Sequence, residues 1–230
     1  MTSKSLLLHY HDVVIHDYDY ETLEDKQWLN DTILSFHQEY LERNKIPESA
    51  KIILLRPGMV ELIAHIQDAT YLSSALPPHL NQYNAIFIPV NDSRPHMGYS
   101  GSHWSLLVYL KQSHSFYYYD SMGESNIFSA RMTAKRMGFV LGFNNQPPKF
   151  IHMNTPNQAN SADCGVYVIA ITDNLVQRMI SISSSGCSVE RLMHIEKSDI
   201  RTVKNIRKEL RKLIQQLRYF LNSNFNIYYI

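Results

Sequence analysis

Three short stretches hold the side chains best suited to chemistry: Gly101 Ser102 His103 Trp104 Ser105, Tyr119 Asp120 Ser121, and Gln158 Ala159 Asn160 Ser161 Ala162 Asp163 Cys164 Gly165. A thiol, an imidazole and a carboxylate are the parts of an activated nucleophile, in which the base shares the thiol proton and the acid orients the base. Singly, each has an ordinary explanation. A cysteine opening an apolar helix is commonly a small buried hydrophobe, one histidine among 11 means little, and an aspartate at a strand end commonly forms a turn.

Position raises their standing. Cys164 falls where a polar loop meets an apolar helix, so unpaired backbone N–H groups and the positive end of the helix dipole should favour the thiolate. Asp163 is expected to cap that helix, with its carboxylate turned onto the N–H groups. Gly165 is expected to let a substrate backbone approach the sulfur, since it has no side chain. His103 opens a predicted strand just after a glycine-containing loop, and Asp120 ends the strand predicted to pair with it. A hairpin turning around Ser113 sets those two ends side by side, where the carboxylate would orient the ring and favour the imidazolium. Gln158, in the polar loop ahead of Cys164, is placed to offer its amide N–H to the same carbonyl oxygen as the Cys164 backbone N–H, forming an oxyanion hole. Taken alone, it reads as a solvated loop glutamine.

The elements that must position these groups follow from hydrophobic spacing. Residues 28–41 read as an amphipathic helix starting near Asn30 or Asp31, and Pro47 prevents its continuation. Pro57 suits the first turn of a second helix over residues 57–66. Residues 72–83 read as a connecting loop. Residues 85–90, 104–110 and 116–119 are rich in strand formers and predict a small sheet. A mobile loop over residues 91–102 leads into the second strand, and the polar residues 111–115 suit a hairpin connection. A helix is predicted over residues 127–141, a strand over 150–153, a polar loop over 154–163 and a buried helix over 164–180. The longest helix is predicted over residues 199–221. Its lysines and arginines lie between apolar positions, which fits a helix that packs one face and solvates the other better than a nucleic-acid surface.

Composition bounds the function. A chain of 230 residues with 44% apolar residues can bury one sizeable core, and no linker divides it, so residues 1–230 are expected to form a single α+β domain. Lys and Arg number 22 against 21 Asp and Glu, a formal charge of +1, so no global field draws it to nucleic acid or acidic lipid. No run of apolar residues is long enough to span a membrane, and Leu6 Leu7 Leu8 is too short for a secretory leader. The two cysteines, Cys164 and Cys187, are too few for a disulfide framework and are expected to be reduced, although one bridge between them stays open. Cys187 is expected to be a loop bystander. No CxxC or HExxH ligand cluster occurs, and neither metal nor cofactor is expected.

The order His103 Trp104, Asp120, Gln158, Asp163 Cys164 Gly165 resembles the Ulp/sentrin-specific cysteine protease family, whose catalytic groups follow the pattern HW, D, Q and DCG. Trp28 Leu29 Asn30 Asp31 matches the family's amino-terminal WLND motif, so the resemblance spans roughly residues 10 to 220. It implies a papain-like α+β fold with a small mixed sheet flanked by helices. Within the family the chain is most similar to the deneddylase branch, with residues 88–92, 103–110 and 119–121 carrying that likeness. Such enzymes process the precursor of the neddylation modifier and remove it from cullins and other proteins.

The resemblance further implies that Trp28 and Trp104 enclose the Gly-Gly tail of a ubiquitin-like modifier, a slot that admits a chain without Cβ atoms. Trp104 as plain core packing is the rival reading. By the same carry-over Asp31 pairs with a basic residue of that tail. The loop over residues 91–102, which adjoins His103 and holds two glycines, is expected to close over the tail and order only when the modifier docks. A monomer in the cytoplasm or nucleus is expected. Three alternatives share these residues: a protease for the SUMO modifier, an acyltransferase on the same fold, and a modifier-binding module without catalysis.

Overall fold

The computed structural model describes residues 5–66, 68–93, 101–181, 188–200 and 203–225. Cys187 and residues 94–100 of the predicted mobile loop lie outside the described residues. Strands β1 (Leu6–Tyr10) and β2 (Val13–His16) form an antiparallel hairpin. Strands β3 (Ile52–Leu54), β4 (Ala85–Asn91), β5 (Trp104–Leu110), β6 (Ser115–Tyr119) and β7 (Lys149–His152) form a five-stranded sheet in that order. Its centre is antiparallel, β4 with β5 and β5 with β6, while β3 and β7 join the edges in parallel.

Strands β4, β5 and β6 are nearly continuous apolar runs because both faces of the sheet are covered. Alternate side chains go to separate cores. Phe87, Leu106, Val108, Tyr117 and Tyr119 face one core, while Ile86, Ile88, Leu107, Tyr109, Phe116 and Tyr118 face the other. The helices are α1 (Asp17–Glu21), α2 (Asp31–Asn44), α3 (Pro57–His65), α4 (Ala69–Ala75), α5 (Ile127–Val140), α6 (Cys164–Ser181), α7 (Val189–Met193) and α8 (Val203–Phe225). Buried residues of α2, α6 and α8 fill the first core, and those of α3, α4 and α5 fill the second. Among the described residues no helix is long and apolar enough to cross a membrane.

The expected α+β class holds, and β1, β2, β3, α1, α4 and α7 add to the expected set. Residues 72–83 are not simply a loop: α4 enters them, and Leu72, Leu76 and Leu80 are buried beneath the second core before and after Pro77 and Pro78. The β1–β2 hairpin turns at His11, whose φ is 50°, and buries Leu7, Leu8, Tyr10, Val13 and Ile15. Strand β3 is three residues long and α7 five, too short for their periodicity to register. Asn30, not Asp31, caps α2: its Oδ1 accepts from the Ile33 backbone N–H at 3.2 Å.

Candidate active site

The β5–β6 register sets Leu106 opposite Tyr119 and Leu110 opposite Ser115, so His103 and Asp120 leave the sheet at adjoining ends. The turn between the strands is a short 3-10 segment ended by His114 in the left-handed region, next to the predicted Ser113. Nε2 of His103 lies 2.7 Å from Asp120 Oδ1. An ionised carboxylate only accepts, so that ring nitrogen carries the proton. His103 Nδ1 is buried and takes no part in the Asp120 contact, which makes it the nitrogen left for Cys164, whose sulfur acts on this ring.

Asp120 is 1% exposed and its carboxylate is saturated. Besides His103, it accepts from the Met122 N–H at 2.8 Å, the Tyr118 hydroxyl at 2.5 Å and the Asn126 N–H at 3.0 Å. Burial alone would raise its pKa, but these donors and the neighbouring imidazolium hold it below the ordinary value. For His103 burial pushes downward, and bonding to Asp120 and Cys164, with their charges, overcomes it to leave a pKa of about 9. The imidazolium is therefore the resident form at neutral pH. The Tyr118 phenol pKa is also raised, by burial and by Asp120.

Cys164 is the first residue of α6, a free and buried thiol that lines a groove of about 600 Å³. The residues on either side depart from expectation. Asp163 does not spend its carboxylate on the helix N–H groups: it pairs with Arg207 at 2.9 Å and accepts from the Asn160 amide, so the charge of Arg207 outcompetes the cap. Gly165 faces protein rather than open substrate space. A Cβ there would lie 3.0 Å from Leu29 Cβ, so the glycine lets α6 pack against the residue after Trp28.

Gln158 is held beside the Asp120 end of the site. Its backbone N–H donates to Ser121 O at 2.9 Å, its Oε1 accepts from the Ser121 hydroxyl at 2.6 Å, and its amide nitrogen donates to Asn160 O. One hydrogen of that amide is thus engaged within the loop. Trp28, Asp31 and Trp104 all line the groove that contains Cys164. Trp28 is 52% exposed, while half-buried Trp104 donates its indole N–H to Leu29 O at 3.0 Å. Trp104 is therefore both packed and facing the groove. Among the described residues, the charged ones lining it are Asp31 and Glu61, both acidic.

The base of the predicted mobile loop is tied down. Asp92 Oδ1 accepts from the backbone N–H of Ser102 at 2.7 Å and of His103 at 2.9 Å. Gly101 has φ +87°, and a Cβ there would strike Asn91 Oδ1 at 1.8 Å. Tyr118, Asn126 and Arg207 join the site without being marked in the sequence analysis above. Tyr118 had a usable signal, since a residue two before Asp120 shares its face of the strand. Asn126 and Arg207 had none. Asn126 reaches back through Nδ2 to Val90 O at 3.0 Å and Ser105 Oγ at 3.1 Å, joining three separate segments. Among the described residues no group of three or more His, Cys, Asp or Glu is placed to hold a metal ion.

A thiol, an imidazole and a carboxylate so arranged can perform acyl transfer through a thioester. Known proteins agree with this chemistry. Residues 27–217 match the Ulp1 protease family, C-terminal catalytic domain. The probable sentrin-specific protease 8 of Dictyostelium discoideum is 33% identical over 193 residues, 77% of this chain and 78% of that protein. NEDD8-specific protease 2 of Schizosaccharomyces pombe is 34% identical over 178 residues, 75% of this chain but 42% of that protein. Among solved structures, a de-sumoylating protease superposes with a TM-score of 0.67 over 98% of this chain and 96% of the other at 19% identity, a likeness of fold. The family match spans most of the chain and the relatives agree with it: this chain belongs to the Ulp1 protease family and is a cysteine protease.

Proposed function

We propose that the chain cleaves the bond after the terminal Gly-Gly of the neddylation modifier, both in its precursor and in conjugates with cullins and other proteins, with Cys164 as nucleophile. The observation that carries the catalytic assignment is the 2.7 Å contact of His103 with Asp120, which leaves the second ring nitrogen for the thiol. Relatives named NEDD8-specific proteases in Schizosaccharomyces pombe and, at 28% identity over 92% of this chain, Arabidopsis thaliana support the choice of modifier. A yeast family member solved in complex with the SUMO orthologue Smt3 supports a modifier of the ubiquitin type as the partner.

The Cys164 thiolate attacks the terminal glycine carbonyl to give a tetrahedral oxyanion. The Cys164 N–H, one of the helix N–H groups without an intrahelical acceptor, and an amide hydrogen of Gln158 stabilise it. His103 Nδ1 protonates the leaving amine as the carbon–nitrogen bond breaks. Water, giving its proton to His103, then opens the thioester and frees the modifier carboxylate. Trp28 and Trp104 wall the tail, and Asp31 attracts a basic tail residue. The test uses fusions of the neddylation modifier and of SUMO, each with a C-terminal extension. Cleavage of the first in preference to the second is expected, with no cleavage of either by Cys164→Ala. Undiminished cleavage by Cys164→Ala would refute the nucleophile, and preference for the SUMO fusion would refute the modifier.

A further inference from the structure

Arg207 is a charged residue inside the protein, 2% exposed, on the helix α8 whose basic character sequence reading ascribed to solvation. Its guanidinium gathers acceptors from two distant segments. Nη1 donates to Thr22 O at 2.9 Å and Glu24 O at 3.0 Å. Nη2 donates to Gln27 O at 2.8 Å, Ala162 O at 3.3 Å and Asp163 Oδ1 at 2.9 Å. The first three acceptors belong to the loop that carries Trp28, between α1 and α2, and the last two are the residues just before Cys164. One turn further along α8, Arg211 stacks 4.5 Å from the Tyr20 ring and pairs with Glu24, holding the same loop.

An arginine with so many carbonyl acceptors is a planar brace, and lysine, a single compact charge, cannot reproduce it. It also answers a problem of charge. Asp163 is buried beside the thiol, and an uncompensated carboxylate there would oppose the thiolate. We propose that Arg207 is the positioning residue of the nucleophile: it braces the Trp28 loop against the start of α6 and neutralises the Asp163 carboxylate next to Cys164. This rests on Cys164 being the nucleophile. Among the described residues, the other charged or titratable groups around the sulfur and this carboxylate are His103 with Asp120 behind it, Asp31 in the same groove, and Tyr167 one turn along α6, whose phenol pKa is raised by burial and then by Asp163.

The test measures the rate of Cys164 alkylation by iodoacetamide against pH, read by mass spectrometry on the Cys164 peptide with Cys187 as internal standard. Arg207→Gln should move the midpoint for Cys164 upward by about half a pH unit or more. Asp163→Asn should move it downward, and the double variant should return close to wild type. Arg207→Lys should keep the wild-type midpoint yet lose at least about tenfold in kcat/KM through the broken brace. A purely structural role would lower activity in Arg207→Gln without moving its midpoint, and that result overturns the proposal. If Arg207→Gln does not fold, an unmoved midpoint in Asp163→Asn overturns it equally. Alkylation does not require turnover, so a failed nucleophile assignment would show separately as an active Cys164→Ala enzyme.

Discussion

His103 is the residue at which burial and bonding compete, and bonding wins. With its pKa at about 9, the imidazolium that must give a proton to the leaving amine persists through neutral pH and is lost above that value. Activity should therefore fall on an alkaline limb with a midpoint near 9. Asp120→Asn removes the charge and should draw that limb down by about two units, toward the ordinary histidine range, with turnover severely reduced. The same shift is a stability term. A histidine pKa raised on folding stabilises fully below about 6.5 and ceases to do so as pH rises through about 9, so urea midpoints of wild type and His103→Gln should converge across that window. Tyr118→Phe deletes one donor to a buried carboxylate, and should cost about 1–3 kcal/mol in urea unfolding. His103, Asp120 and Cys164 were legible in the sequence because each sits at the end of a recognisable element. Arg207 was not: it stands among other basic residues on an amphipathic helix, and nothing in the spacing marks the one that turns inward.

Elements rather than loops do the positioning, and their contacts are close. The β5–β6 hairpin fixes the base and acid, and α6 brings the thiol to them from the neighbouring core. The seam between α6 and the Trp28 wall is the Gly165–Leu29 contact. Gly165→Ala should cost about 1–3 kcal/mol in urea unfolding through overpacking, and Leu29→Ala should recover part of that loss in the double variant. The central strands and the long helices were readable from their periodicity. The β1–β2 hairpin and α4 were not, because the first looks like an isolated apolar triplet and the second is a seven-residue helix whose serines, with Pro77 and Pro78 just beyond it, read as loop. The role of Gly165 was misread for a related reason: a missing Cβ announces a close approach without naming the partner.

Across the whole molecule, two cores on opposite faces of one sheet meet the groove from both sides. Cys164 comes from α6, whose buried residues fill the first core, while Val60 and Thr133 reach the groove from the α3 and α5 side. Among the described residues its lining charges are acidic, which favours a tail carrying a basic residue ahead of Gly-Gly. Asp31→Ala together with Glu61→Ala should raise KM for such a tail several-fold at unchanged kcat, and a tail with that residue changed to alanine should erase the difference. The central claim is that Cys164 attacks the end of a modifier's tail. Reaction with a neddylation modifier bearing an electrophilic C-terminus tests it most directly: one covalent adduct mapped to Cys164 and absent from Cys164→Ala is the predicted result, whereas no adduct, or an adduct at another residue, would contradict it.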